Sequence, residues 1–327
     1  MTRHLPAVDS GGAPPLNRPQ VDGADEGASS RGEFGPLRGQ LLKWIGNKQR
    51  FAAEITACFP GNFGTYWEPF VGSGAVLATL APRRAVAGDV LAPLVELWRM
   101  LAEAPDALVA AYRLRWQQVT GLDADDPASL RAAVAQPGKA QGYRQIRDAY
   151  NANPNGADLL FLSRSCYGGV IRFTRAGAMN TPCGAHRPIH PDAFRRRVRV
   201  WQPRVAGARF EHSDFEVLLD RAQRGDLVYC DPPYGDSEGT LYGAQGFQFQ
   251  RLVAAIVRCK ARGVHVVLSI DGTKRSGRKI CALDVPEGLF EQEAMVNCGR
   301  SMLRRFQMEG QTLEHEVVAD RLLLTWA

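Results

Sequence analysis

The fold class the sequence predicts is α/β: one sheet with helices on it, split in two by a mainly helical insert. Three observations predict this. TYWEPFVGSGAVLATLAP followed by RAVAGDV reads as strand, glycine turn, helix and second strand, ending at the acid Asp89. From Pro93 to about Trp201 the pattern is helical, as in LVELWRMLAEA and GYRQIRDAYN, with no parallel-strand signal. After Arg204 short strands and helices alternate again to the end of the chain.

Each element has a local reason. Residues 1–39 are rich in Gly, Pro, Ser and Ala without apolar periodicity, and are expected to form a disordered tail. LLKWIGNKQRFAAEITACFP reads as a short loop and an amphipathic helix stopped by Pro60. Strand, glycine turn, helix, strand and acid form the opening of a nucleotide-binding α/β sheet. The helical insert is expected as a separate lobe over 93–205, broken by the glycine-rich piece YGGVIRFTRAGAMNTPCG. ARFEH is then a strand, DFEVLLDRAQRG a helix, DLVYC a strand, FQFQRLVAAIVRCKARG a helix and VHVVLSI a strand. AMVNCG and VVADRLLLTW suit a closing antiparallel pair, so the sheet halves span 40–92 and 206–327.

Composition narrows the function. With 45% hydrophobic residues, 327 residues supply a real core. No apolar run reaches the length of a membrane span and no secretory signal is evident, so a cytoplasmic, nucleoid-associated location is expected. The seven cysteines contain no CxxC pair and the six histidines no HExxH, so neither a disulfide framework nor a protein-bound metal is expected. The net charge of +6 is unevenly placed. Residues 143–209 hold 12 arginines and no lysine against Asp148, Asp158 and Asp192, a local excess of nine positive charges. Arginine to the exclusion of lysine favours bidentate contacts to phosphates and guanine edges over an ordinary solvated face.

Three stretches carry chemistry. In WEPFVGSGA, Gly72 and Gly74 permit a sharp turn and close approach to a ligand, with Asp89 at the next strand end as a ribose-hydroxyl acceptor or, more simply, a helix cap. KWIGNK places Trp44 and Lys48 in one tight loop, where the ring plugs the core or packs on a ligand while Lys48 pairs with a carboxylate. In DLVYCDPPYGD the prolines lack the N–H that would continue a sheet ladder, so they end the strand and leave carbonyl oxygens to accept. Asp231 adds an acceptor and Tyr234 a flat ring. Two acceptors beside a stacking ring suit an amino group on a heteroaromatic base.

In this order, KWIGNK, EPFVGSG, Asp89, the insert, HSDF and DPPY resemble the Dam-like alpha group of DNA adenine N6-methyltransferases, over about residues 41–270. The resemblance implies a Rossmann-like class I methyltransferase sheet with an inserted target-recognition domain, S-adenosyl-L-methionine as cofactor and double-stranded DNA as partner. It assigns Asp231, Pro232, Pro233 and Tyr234 to catalysis. Trp44, Lys48, Phe70, Gly72, Gly74, Asp89, Asp214, Phe215 and Asp231 would line the cofactor pocket. Within the insert, Tyr167, Arg172, Arg175 and Asn180 would meet DNA, with Arg172 as reader of a guanine edge and the other arginines mainly on phosphates; Pro182 and Gly184 also fall on matching positions.

Two departures stand out. Asn47 replaces a common glycine, a change expected to preserve a left-handed turn because asparagine tolerates that backbone. Gly168 stands where the Dam branch has asparagine. The resemblance further admits a cognate restriction endonuclease as partner and a monomer or weak dimer. The alternatives are an RNA adenine methyltransferase, or a catalytically dead DNA-binding module on the same fold. N4-cytosine methylation is disfavoured because that branch usually has serine where Asp231 stands.

Overall fold

A computed structural model describes residues 34–132, 134, 136–174, 176–233, 247–271, 273–274, 279–280, 285–300 and 317–327. The expected disordered tail lies outside the described residues as far as residue 33. Its last part does not behave as a tail. Phe34 lies under the Arg204 guanidinium, 4.9 Å from ring centroid to charge, and Gly39 O accepts from Trp201 Nε1 at 2.9 Å. Order therefore begins upstream of residue 40, because aromatic and arginine side chains further along the chain give this segment partners that its own composition does not supply.

The N-terminal segment leads through the short helix α1 (Ala52–Ala57) to β1 (Tyr66–Glu68), α2 (Ala75–Leu80), β2 (Ala85–Asp89) and α3 (Ala92–Glu103). Helices α4 (Pro105–Thr120), α5 (Gln136–Ala152), α6 (Gly156–Ser165) and α7 (Pro191–Val205) follow before the sheet resumes with β3 (Ala208–His212). Then come α8 (Phe215–Arg221), β4 (Leu227–Cys230), α9 (Phe249–Ala261) and β5 (His265–Asp271). A two-stranded ribbon of β6 (Thr273–Lys274) and β7 (Lys279–Ile280) precedes the antiparallel β8 (Gln292–Arg300) and β9 (Val317–Leu324).

The seven-stranded sheet runs in the order β3-β2-β1-β4-β5-β9-β8, with β1 to β5 parallel and β9 antiparallel to both neighbours. Alternation along each strand feeds two cores. Leu227 and Tyr229 of β4, with Leu322 and Leu324 of β9, face one side; Val228, Cys230 and Leu323 face the other, against α8 and α9. This is the doubly covered parallel sheet that the continuous apolar runs required.

The expectation of a separate lobe is modified. The core on the first face continues from Tyr66 and Trp98 through Trp201 into Tyr112, Phe194, Trp116 and Tyr143 of the insert. Trp98 of α3 stacks on Phe210 of β3 at 5.9 Å and packs on Trp201 of α7 at 5.8 Å. Insert and sheet therefore share one core. Among the described residues, no helix is long and apolar enough to cross a membrane.

Candidate active site at the ends of β1 and β4

Strand order reverses between β1 and β4. From β1 the chain builds outward to β2 and β3 on one side, and β4 starts the other half. In an open α/β sheet a crevice forms at the carboxyl ends of the strands at such a point. The sequence after β1 is the glycine loop, and after β4 it is Asp231-Pro232-Pro233, so the topology brings together two motifs that lie far apart in the chain.

Gly72 and Gly74 both have left-handed backbone, φ +44° and +61°. Their reasons differ. A Cβ on Gly72 would sit 3.2 Å from Trp44 Nε1, so its lack of a side chain keeps the KWIGNK loop close to the turn. A Cβ on Gly74 would stand 2.6 Å from the Trp98 ring, which gives Gly74 a packing role against α3. Trp98 Nε1 also donates to Gly72 O at 3.1 Å. Asp89 closes the loop from β2: its carboxylate accepts from Leu91 N at 3.0 Å and Gly72 N at 3.4 Å. Burial raises its pKa to about 6, against the lowering effect of those backbone donors. Capping and ribose acceptance were alternatives in sequence; the carboxylate caps the turn and sits beside the glycine loop at once.

At the end of β4, Asp231 meets Lys48. Lys48 Nζ lies 3.1 Å from Asp231 Oδ1 and 2.8 Å from Asp320 Oδ2 on β9. Burial opposes the ammonium's charge, but the two carboxylates outweigh it and hold its pKa above the ordinary lysine value. The predicted pairing of Lys48 with a carboxylate thus has two partners. Beneath them Tyr66 Oη donates to Glu68 Oε2 at 2.7 Å. Burial first, and the negative charge of Asp231 next among the raising effects, push Glu68 up to about 8, so it is largely protonated at neutral pH.

Asn47 does not adopt the left-handed backbone expected of it. Its φ is −59°, the left-handed residue being Gly46 at +70°, and its Oδ1 accepts from Gln49 N at 2.8 Å. Asparagine therefore serves as the cap of the turn that carries Lys48.

An aromatic wall flanks the crevice on the β3 side. Phe70 stacks on Phe215 at 5.3 Å, and Phe247 stands edge-on to both at 5.9 and 5.8 Å. Asp214 caps α8 through Glu216 N at 2.9 Å and pairs with Arg251, whose guanidinium lies over the Phe215 ring at 5.2 Å. Pro232 is buried and Pro233 half-buried. Tyr234 and Arg175 lie outside the described residues.

The DNA-directed candidates sit on a hairpin with the bridge Phe173 to Met179. Asn180 N donates to Arg172 O at 3.1 Å, while the Arg172 and Asn180 side chains are exposed between buried Ile171, Phe173, Met179 and Thr181. Tyr167 is 51% exposed at the base. Gly168 has φ 64°, a conformation that asparagine also tolerates. A Cβ on neighbouring Gly169 would lie 2.9 Å from Lys43 Cβ, so the hairpin base packs against the KWIGNK loop.

Four of the insert's remaining arginines have partners within the chain. Arg164 donates to Gln40 O and Leu41 O at 2.8 Å, and Arg197 to Gln40 O at 2.6 Å. Arg187 donates to Ala132 O and Ser129 O, and Arg204 to Ala78 O. These guanidiniums fasten loops whose carbonyls have no secondary-structure partner. Composition cannot distinguish that use from phosphate binding, since both exploit the same fork of donors.

Glu68, Phe247 and Asp320 belong to the site and were missed in sequence. Glu68 had a signal, as the acid opening EPFVGSG at a strand end; Phe247 and Asp320 had none beyond their strand and helix patterns.

The family model of D12 class N6 adenine-specific DNA methyltransferases matches residues 44–295. The chain is 27% identical over 246 residues to the DNA N-6-adenine-methyltransferase of Escherichia phage P1, an alignment covering 71% of this chain and 30% of that protein. It is 28% identical over 238 residues to the retron Ec67 DNA adenine methylase of Escherichia coli, covering 70% of this chain and 75% of that one. Against the DNA adenine methylase of Vibrio cholerae serotype O1 (strain O395) it is 25% identical over 251 residues, covering 73% and 83%. The chain therefore spans less than a third of the phage protein and most of the other two.

Proposed function

We propose, from the premise that this chain belongs to the D12 class N6 adenine-specific DNA methyltransferase family, that its crevice transfers a methyl group from S-adenosylmethionine to N6 of an adenine flipped out of duplex DNA. The observation that carries this reading is the meeting of the Gly72 loop with Asp231 at the point where strand order reverses.

The residues present fit the cofactor. The Gly72 turn is a cradle that a Cβ would crowd against Trp44. Asp89 beside it has the acceptor oxygens for ribose hydroxyls, and the Phe70, Phe215 and Phe247 wall next to Asp214 suits a flat heterocycle. Gly74 supports this cradle by packing on Trp98. When bound, the cofactor supplies an electrophilic methyl on a sulfonium.

Adenine N6 is a poor nucleophile because its lone pair is delocalised into the ring. Asp231 and the Pro232 carbonyl accept its two hydrogens, which draws the nitrogen toward tetrahedral geometry and frees the lone pair; once N6 carries the methyl, one of those hydrogens leaves as a proton through the Asp231 carboxylate to solvent. The rigid prolines hold these acceptors in place, so much of the rate comes from positioning. Flipping the base costs a few kcal/mol, and we assign Tyr234 to recover part of this by stacking, worth about 1 to 3 kcal/mol per base. We take residues 93–205 as the part that reads DNA, with Arg172 and Asn180 at its exposed hairpin and Tyr167 and Arg175 beside them.

The test is methyl transfer from labelled cofactor to duplex DNA, with ribosomal RNA as a parallel substrate and digestion to identify the modified base. N6-methyladenine in DNA is expected. Asp231→Ala should lose turnover by at least about a thousandfold, far more than any loss of cofactor affinity; near-normal turnover in that variant removes the mechanism.

A further inference from the structure

The site as described leaves one buried charge unaccounted for. Asp320 is 5% exposed and lies on β9, between β5 and β8, in register with Asp271 and Val296. It shares the strand face of Leu322 and Leu324, an apolar face on which an isolated carboxylate is costly. Its Oδ2 approaches Lys48 Nζ at 2.8 Å, closer than the 3.1 Å from Lys48 to Asp231 Oδ1. One ammonium thus serves two acids. Asp320 also lies beyond residue 295, where the match to the family model ends.

We propose that Asp320 is a positioning residue for the methyl transfer, acting on Asp231 through Lys48. Bridged one-to-one with Asp231 in a buried setting, the ammonium would be drawn wholly onto that carboxylate and would neutralise the electron density that has to accept the amine hydrogens. Asp320 takes a share of the ammonium's donors and leaves the three groups with a net negative charge. It also fixes where the ammonium sits. Lys48 comes from a loop before the sheet, whereas Asp320 is held by ladder hydrogen bonds on both sides of β9, so the carboxylate is the more rigid anchor. The pull toward β9 then sets which side of Asp231 the ammonium occupies, and with it the orientation of the carboxylate plane. Misplacement of a reacting group by a fraction of an ångström is enough to slow a reaction that depends on alignment.

This inference rests on the reading of Asp231 as acceptor, and the experiment separates the two. Wild type, Asp320→Asn, Lys48→Met and the double variant Lys48→Met/Asp320→Asn are compared by single-turnover methyl transfer to duplex DNA, by KM for DNA, by calorimetric cofactor affinity and by thermal midpoint. Asp320→Asn is expected to lower the transfer rate about tenfold, with KM and cofactor affinity within about twofold of wild type. In the Lys48→Met background the same substitution is expected to cost nothing further, because the route to Asp231 is already cut.

An unchanged rate in Asp320→Asn overturns the proposal. So does an equal loss in both backgrounds, or a loss that appears only alongside weaker binding and a lower midpoint. If Asp320→Asn does not fold, Asp320→Glu, which keeps the charge and moves the carboxylate, takes its place in both backgrounds, with a loss expected only where Lys48 is present. Failure of wild type to methylate adenine would instead strike the reading of the site.

Discussion

The floor of the crevice and the hairpin above it are built on opposite physical terms. At the floor, Lys48, Asp231, Asp320, Glu68 and Tyr66 are enclosed by the sheet, and Lys48 and Glu68 take their charge states from their neighbours. On the hairpin, Arg172 and Asn180 are exposed between buried residues that anchor the turn in the main core. Chemistry on an amine needs acceptors fixed in a poorly solvated place, where electrostatic effects are large. Reading a base edge needs donors that meet an incoming partner. A charged residue therefore reports its role by its company: buried among other charges it tunes the reaction, exposed on a rigid turn it selects the target, and aimed at carbonyls it only holds the chain.

Three measurements would break or sharpen that contrast. The largest effect is expected at the floor. Glu68 binds its proton more tightly in the fold, with a pKa near 8 against an ordinary value of 4.5. The folded protein thus carries an extra proton between those values, and Glu68's contribution to stability is complete below pH 4.5 and declines as pH rises toward 8. Glu68→Gln keeps the neutral form at every pH, so its melting temperature relative to wild type should climb from pH 5 to pH 9. The gain is bounded by about 1.4 kcal/mol per pKa unit. Parallel curves for the two proteins would mean that Glu68 is ionised in the fold.

A smaller loss is expected where the regions join. Arg164 is half-buried, with its pKa drawn down to about 10 by desolvation and the nearby Arg197, and it holds the carbonyls of Gln40 and Leu41. Arg164→Ala should lower stability by about 1 to 3 kcal/mol, since it takes the donor from the buried Leu41 carbonyl while Arg197 still serves Gln40. The slope of log DNA affinity against log salt should stay as in wild type. A slope reduced by about one would return Arg164 to the phosphate contacts.

The smallest effect in energy falls on the hairpin. Arg172→Ala should leave the melting curve in place and reduce discrimination between target and altered sites by about 1 to 3 kcal/mol. Equal weakening on every DNA sequence would make Arg172 a phosphate contact.

Much of the sheet was legible in the residues. β2 ends at Asp89 as RAVAGDV suggested, β3 has the bounds of ARFEH, and β8 and β9 pair antiparallel as their apolar runs suggested. These strands are short, apolar and punctuated by glycine, proline or an acid, so local pattern suffices to place them. Asn47 shows the limit. Its tolerance of left-handed backbone was a sound property of asparagine, yet the turn used its side-chain oxygen instead, a choice made by where Gln49 N points. The insert's arginines show the same limit at larger scale, because a guanidinium's partner depends on which carbonyl the fold leaves bare.

By itself the sequence determined the type of sheet, the acceptor and glycine motifs at its strand ends, and the order in which they occur. Those follow from local rules: proline ends a ladder, glycine permits a left-handed turn, alternation selects a face. Tertiary structure alone decided that Lys48 answers to two acids, that Glu68 keeps its proton, and that Arg164 and Arg197 face inward. Strand alternation tells a residue which side to face but not which strand lies beside it. That neighbour is set by the spatial order of the strands in the sheet, which places Asp320 of β9 beside Lys48.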